Sequence, residues 1–157
     1  TYETFKKSLE TNLIAPFYLV KKFSNLMSSK NSNIINISSI YSFLAPDFDL
    51  YKNTKMGNSA AYSSSKAAIN QLTKWFASNL SPKIRVNSIS ASLLASKILD
   101  KVKTKTSKNS FHEIENKHLL GLGSYDDVIP SIVHLLSDRS FWITGSNMIV
   151  DGGYSSW

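Results

Sequence analysis

The apolar positions of the chain switch between two periods. Across residues 2–27, Leu9, Leu13, Pro16, Phe17, Val20, Phe23 and Met27 recur every three to four residues, which predicts a helix. Pro16 lies inside this pattern and should kink the helix or loosen a turn. A polar cluster over 28–33 ends it. Residues 33–39 then form a short isoleucine-rich run, whose length and branched side chains predict a buried parallel strand. Residues 40–59 follow neither period, and Pro46, Asp47, Asn53, Gly57 and Asn58 mark turns. A loop near this length in a compact domain is usually functional or disordered. Residues 60–80 return to helical spacing, with Ala61, Ala68, Leu72, Trp75, Phe76 and Leu80 as the apolar face and Pro82 barring continuation. Residues 84–89 predict a second strand.

Beyond it, residues 91–123 hold short helices and a lysine-rich piece without a clear period. Ser124 followed by Asp126 and Asp127 reads as a helix start, with acids in the first turn where the dipole favours them. That helix runs through Ile132, Val133, Leu135 and Leu136, and residues 147–150 predict a third strand closed by Asp151, Gly152 and Gly153. The order is helix, strand, helix, strand, helix, strand. Right-handed crossovers place such strands side by side and parallel. The expected fold is α/β: the carboxyl-terminal half of a doubly wound parallel-sheet Rossmann fold, lacking the first βαβ units, with residues 1–157 as one partial domain.

Composition narrows the function classes. The 157 residues suffice for one domain and one core. No run approaches the ~18 apolar residues of a membrane span, and no basic-then-apolar leader is visible. With no cysteine, disulfides, thiolate metal ligands and thiol catalysis are excluded, and a cytoplasmic location is expected. The formal charge of +7 comes mainly from scattered lysines, with Arg85 and Arg139 the only arginines. A nucleic-acid face would interleave arginines and aromatics on one surface, so no nucleic-acid partner is expected. Lys97, Lys101, Lys103, Lys105 and Lys108 sit among serines, threonines and Asn109 and read as a solvated segment; attraction of an anionic small substrate is the weaker alternative. His112, His118 and His134 lack metal-ligand spacing, so no metal site is expected and the three read as incidental.

One spacing carries chemistry. Tyr62 precedes Lys66 by one helical turn, which puts both on one helix face, and Ser39 ends the upstream strand. Free tyrosine, with a pKa of ~10, is a poor base near neutrality. A cation ~4 Å away at an effective dielectric of ~20 favours the phenolate by up to ~4 kcal/mol, an amount that exposure reduces. Ser39 leaves the carboxyl end of its strand, where open α/β sheets bind ligands, and its hydroxyl can donate to a substrate oxygen. The arrangement suits interconversion of a carbonyl and an alcohol. None of these residues carries electrons, so a cofactor must supply the hydride. Taken singly, the Tyr–Lys spacing arises often by chance, Ser39 is an ordinary strand-end cap and Asn12 an awkward polar residue in a helix.

Together these stretches resemble the short-chain dehydrogenase/reductases. The matching segments are Glu10-Thr-Asn12-Leu, Ile34-Ile-Asn-Ile-Ser-Ser39, Ala61-Tyr62-Ser-Ser-Ser-Lys66-Ala-Ala-Ile, Ile84-Arg-Val-Asn87, and Ile143-Thr-Gly145 through Val150-Asp-Gly-Gly153, in the family's order. The resemblance implies a tetrad of Asn12, Ser39, Tyr62 and Lys66, with NAD or NADP as cofactor. It implies that Tyr62 is the acid/base and that Ser39 orients the carbonyl. It further implies that Lys66 assists Tyr62 and holds the nicotinamide ribose, and that Asn12 helps place a relaying water. The insertion beginning at Ile40 and the ending Gly152-Gly-Tyr-Ser-Ser-Trp157 are similar to members associated with bacterial surface-sugar and flagellin-glycan modification, which implies a sugar or nucleotide-sugar substrate. In similar proteins the helices over 2–27 and 60–80 build a dimer interface, so a homo-oligomer, dimer or tetramer, is expected.

Two departures from the family pattern bear on the cofactor. Where the family usually has Pro-Gly beside the nicotinamide, this chain has Ala91 and Ser92, which remain the candidate cofactor contacts with Tyr62 and Lys66; Ser96 is a looser candidate for the carboxamide. The family's first strand and its glycine-rich, pyrophosphate-binding turn have no counterpart here, because Gly121 and Gly123 are too short a cluster. The chain alone is therefore expected to be a fragment lacking useful cofactor affinity, with the strand over 34–37 exposed as an apolar edge. The alternative is a non-catalytic oligomerisation or sugar-binding remnant of the same fold, the latter resting on Tyr41, Phe43, Phe48 and Tyr51.

Overall fold

A computed structural model describes residues 1–27, 32–52, 57–95 and 108–157, and the side chains of 108–111 are left aside. Helix α1 (Tyr2–Leu9) runs through a π-helical segment, Glu10–Ile14, into α2 (Ala15–Ser24). The expected loosened turn is this π segment. In an α-helix the Asn12 carbonyl would accept from residue 16, but Pro16 has no N–H to offer. Strand β1 (Ser32–Ser39) leads to two 3₁₀ turns, Ile40–Ser42 and Phe48–Tyr51, and then to α3 (Ala60–Leu80). Strand β2 (Ile84–Ala91), α4 (Lys108–Asn116), α5 (Tyr125–Leu136) and β3 (Asn147–Val150) complete the order.

The three strands are parallel, in the order β1-β2-β3. Alternation along β2 sends Ile84 and Val86 to one face, where Val20, Phe76 and Ala77 close over them, and Ile89 to the other, against Val128 and Leu135. Helices α2 and α3 thus cover one face and α5 the other, the layering of a doubly wound sheet. The acids expected at the start of α5 form a capping box, in which the Asp127 carboxylate accepts from the Ser124 N–H and hydroxyl.

One expectation about burial changes. Trp75 is 53% exposed, and the buried face of α3 is instead Ala61, Ser65, Ile69, Thr73, Phe76 and Ala77. The sheet approaches α3 closely enough to favour small and polar-but-bonded residues: Asn36 donates to Thr73 Oγ1 (2.8 Å), whose hydroxyl donates to the Ile69 carbonyl (2.8 Å). On α5, Val133 and Leu136 are largely exposed, and Val128 and Leu135 carry the contact with the sheet. Strand β1 is only partly covered, and Ile37 is 52% exposed on the edge of the described sheet.

Strand β2 also holds the end of the chain in place through polar groups. Arg85 is buried and donates to the carbonyls of Ile143, Leu135 and Ser137 at 3.1, 3.1 and 3.2 Å. Asn87 donates to the Ile143 carbonyl and accepts from the Ser146 N–H. Burial pulls the Arg85 pKa down, partly offset by Asp138, and three carbonyl dipoles face the charge. Arg85→Met should strip these acceptors of a charged donor and cost about 2–3 kcal/mol in urea unfolding; an unchanged midpoint would refute this account of the anchor.

Candidate active site

The carboxyl ends of β1 and β2 meet in a cleft of about 640 Å³. This is the position at which open α/β sheets bind ligands, and the size suits a small molecule. Ser39 lies opposite Ala91 in the register and both line the cleft with Tyr62, Ser92, Leu93, Leu94, Ile114, His118 and Tyr154. Each polar side chain is held by its neighbourhood.

Ser59 caps α3, accepting from the Tyr62 N–H at 3.1 Å, and so sets where Tyr62 leaves the helix. Tyr62 sits at the edge of exposure on the cleft wall. Lys66 lies one turn on, with Nζ 5.7 Å from the Tyr62 ring centroid and donating to the Ile37 carbonyl at 2.9 Å. Ser39 is buried, and its oxygen accepts from the Tyr41 N–H at 3.2 Å, so it does cap the following turn. With a lone pair so used, its O–H remains the group that can donate into the cleft.

Asn12 stands apart. It projects from the π segment and donates to Ser65 Oγ at 3.1 Å, and Ser65 in turn donates to the Tyr62 carbonyl at 2.7 Å. Its connection to Tyr62 runs through the α3 backbone, and it does not line the cleft. Ala91 continues β2, paired with Ser39 on one side and Val150 on the other, where a proline could not have donated to the ladder. Ser92 bonds His118 Nε2 at 2.8 Å. Ser96 lies outside the described residues, as do most of the lysines of the solvated segment.

The sequence pattern did not single out His118, Asn58 or Tyr154. His118 is buried, packed at a tilt against Tyr154 with ring centroids 4.9 Å apart, and is no incidental surface residue. Its role depends on a contact to Ser92 that no local spacing announces. Tyr41 and Tyr51 share a 2.7 Å hydroxyl bond, and burial and that bond push the Tyr41 phenol far above its ordinary value. Asp47 is paired with Lys117, whose ammonium holds its carboxyl below the usual carboxylate range. Among the described residues, no three metal-ligating side chains converge, and no helix is long and apolar enough to cross a membrane.

The fold is a half-sheet of parallel strands with Ser39 and Tyr62 on the wall of its carboxyl-end cleft and Lys66 one turn beyond Tyr62. Comparison with known proteins gives the family. Residues 1–155 match the enoyl-(acyl carrier protein) reductase family profile. The chain is 36% identical to post-translational flagellin modification protein A of Campylobacter coli, covering 98% of this chain and 58% of that protein. It is 32% identical to carbonyl reductase (NADPH) 2 of Sus scrofa, covering 98% and 60%. Among solved structures, a 4-hydroxyisoleucine dehydrogenase complexed with NADH superposes with a TM-score of 0.85 at 30% identity, over 100% of this chain and 61% of that one. The chain belongs to the short-chain dehydrogenase/reductase family. It spans about three-fifths of the length of these relatives.

The residues present fit the nicotinamide end of such a cofactor. The cleft pairs apolar walls (Ile37, Leu93, Leu94) with hydroxyls at the strand ends, and Lys66 has donors beyond the one given to Ile37. They do not supply a pyrophosphate seat: among the described residues the glycines nearest a helix start precede α5, whose N-terminus is already filled by the Asp127 carboxylate.

Burial lowers the pKa of Lys66, by desolvation of its charged form. The folded state therefore binds its proton less tightly than the unfolded chain, and stability should rise with pH as the solution passes from the lowered value toward ~10.5. Urea midpoints at pH 7 and pH 9.5 should show a smaller gain for Lys66→Met than for the wild type; equal gains would contradict the desolvation.

Proposed function

We propose that this chain is the catalytic portion of a nicotinamide-dependent oxidoreductase that interconverts an alcohol and a carbonyl, with Tyr62 as the proton donor or acceptor. The observation that carries the reading is that Ser39 and Tyr62 line one strand-end cleft, with the Lys66 ammonium 5.7 Å from the Tyr62 ring centroid, although Ser39 and Tyr62 lie on different elements. In reduction, the substrate oxygen receives a hydrogen bond from Ser39 and the proton of Tyr62. Lys66 places a positive charge beside the phenolate left behind and can donate to a ribose. The bound nicotinamide supplies the hydride. Ala91 and Ser92 flank the cofactor's expected place, and Asn12 acts through Ser65 on the helix turn that carries Tyr62.

The flagellin-modification relative supports a sugar-like substrate, in line with the resemblance noted for the segment from Ile40 and the ending Gly152–Trp157. So does the aromatic and hydroxyl-rich wall formed by Tyr41, Tyr51 and Tyr154, which offers both ring faces and hydrogen-bonding groups. NAD and NADP remain equal candidates, since NADH accompanies one similar structure and the name of another relative specifies NADPH. Exposed Tyr18, Leu19 and Phe23 on α2 and Trp75 on α3 support self-association of the complete protein. The cytoplasm is the proposed location.

In the full gene product, Tyr62→Phe should reduce turnover by about three orders of magnitude or more, the scale of losing a general acid, with an unchanged circular-dichroism spectrum. Surviving activity would defeat the mechanism. The 157 residues alone should bind NADH or NADPH weakly in a fluorescence titration. Tight, saturable binding would show that a pyrophosphate seat exists in them.

A further inference from the structure

We infer that Ser92 and His118 form a hydroxyl-reading site on the cleft wall, and that the substrate is an uncharged molecule carrying a hydroxyl close to its reacting carbonyl. The inference rests on the reading of the cleft as a carbonyl-reducing site and adds what that site selects.

The argument is one of hydrogen-bond polarity. His118 Nδ1 lies 2.8 Å from the Ile114 carbonyl, which can only accept, so Nδ1 carries a hydrogen. In the neutral imidazole Nε2 is then an acceptor, and the group 2.8 Å from it, Ser92 Oγ, must donate. The Ser92 proton is spent on the ring, and its oxygen meets the cleft as an acceptor. Ser39 has the opposite polarity, since its oxygen accepts from Tyr41 N–H and its proton is available. Ser39 ends β1 and Ser92 follows the end of the adjacent β2, with Ser39 paired to Ala91, so a donor and an acceptor lie at neighbouring strand ends on the lining of one cleft. A ligand matching both presents a carbonyl oxygen to Ser39 and Tyr62 and an O–H to Ser92.

The ring cannot easily turn to change this. His118 is 4% exposed, bonded at both nitrogens and packed against Tyr154. The turn after α4 that carries it is tied by the Lys117–Asp47 pair to the cap of the 3₁₀ turn Phe48–Tyr51, whose Tyr51 bonds Tyr41. Among the described lining residues none bears a formal charge: Asp47 and Lys117 satisfy each other outside the lining, and the Lys66 ammonium lies beside the Tyr62 ring, also outside the lining, with one N–H donated to the Ile37 carbonyl. A carboxylate or phosphate at Ser92 would therefore face an acceptor oxygen with no counter-charge in the lining. An α-hydroxy ketone would meet a matched acceptor. A ketone lacking the hydroxyl would leave the Ser92 oxygen unpaired, the situation in which a polar site discriminates most strongly.

The test uses the full gene product and two matched pairs: acetoin against 2-butanone, and 2-hydroxycyclohexanone against cyclohexanone. Turnover is measured for wild type, Ser92→Ala and His118→Phe, and binding of the same compounds is followed by saturation-transfer NMR in Tyr62→Phe. Wild type should favour the hydroxylated member of each pair by about tenfold to a hundredfold in kcat/KM. Ser92→Ala should bring that ratio close to one; because the ratio compares two ketones on the same enzyme, any loss common to both, such as weaker cofactor binding, cancels. His118→Phe, which frees the Ser92 proton, should lower the ratio several-fold. A ratio that is near one in wild type, or unmoved by Ser92→Ala, overturns the hydroxyl-reading site and leaves the reductase reading intact. Hydroxyl-dependent binding that Ser92→Ala abolishes in the Tyr62→Phe background, with no turnover of any ketone by wild type, supports the site and overturns the reductase reading. Absence of both overturns both.

Discussion

The structure depends on the guanidinium of Arg85 inside the central strand. Leu135 and Ser137 belong to the end of α5 and Ile143 to the turn before β3, and one side chain draws the carbonyls of all three to β2. Asn87, two residues on and on the same face, takes the same turn by a second grip. A buried cation is costly unless carbonyl dipoles surround it. Here the cost ties the last helix and the last strand to the middle of the sheet. Without that tie, Asn147 would not reach Ser88 and Ser90, and Val150 would not lie beside Ala91 at the cleft.

A second polar chain transmits this order to the cleft. Asn70 on α3 donates to Ser42 (2.7 Å); Ser42 and Ser90 share a 3.2 Å bond; Ser90 donates to Asn147 (2.9 Å). Helix α3, the turn after β1, the central strand and β3 are thus joined through the Ser42 and Ser90 hydroxyls, each of which is given partners, so their burial carries little penalty. The same turn carries Tyr41, whose N–H sets the polarity of Ser39. The cleft wall that receives a substrate is therefore continuous with the interior of the sheet.

The helix face of Tyr62 and Lys66 and the strand end at Ser39 were legible because each is local, a period and a run of isoleucines; the parallel three-strand arrangement followed from the alternation of elements and the handedness of crossovers. The α5 start was legible for the same reason, since a serine three residues before an aspartate closes on itself. Trp75 was misplaced because helical spacing states which residues share a face, not how closely the sheet approaches it; Asn36 reaching Thr73 requires small polar neighbours there and turns the indole outward. Asn12 was legible as a motif residue, but its hydrogen bond to Ser65 depends on the packing of the π segment against α3.

What the sequence determined by itself is the class of chemistry and the alternation of elements, since spacing along one helix or strand is set by backbone geometry alone. The polarity of the cleft was decided only in three dimensions. Ser92 and His118 are separated along the chain by a stretch that no period describes, and neither has chemistry worth noting until Ile114 fixes the ring's tautomer and the ring claims the serine's proton. A hydroxyl can donate or accept equally well, and which it does is settled by the neighbours that folding brings to it.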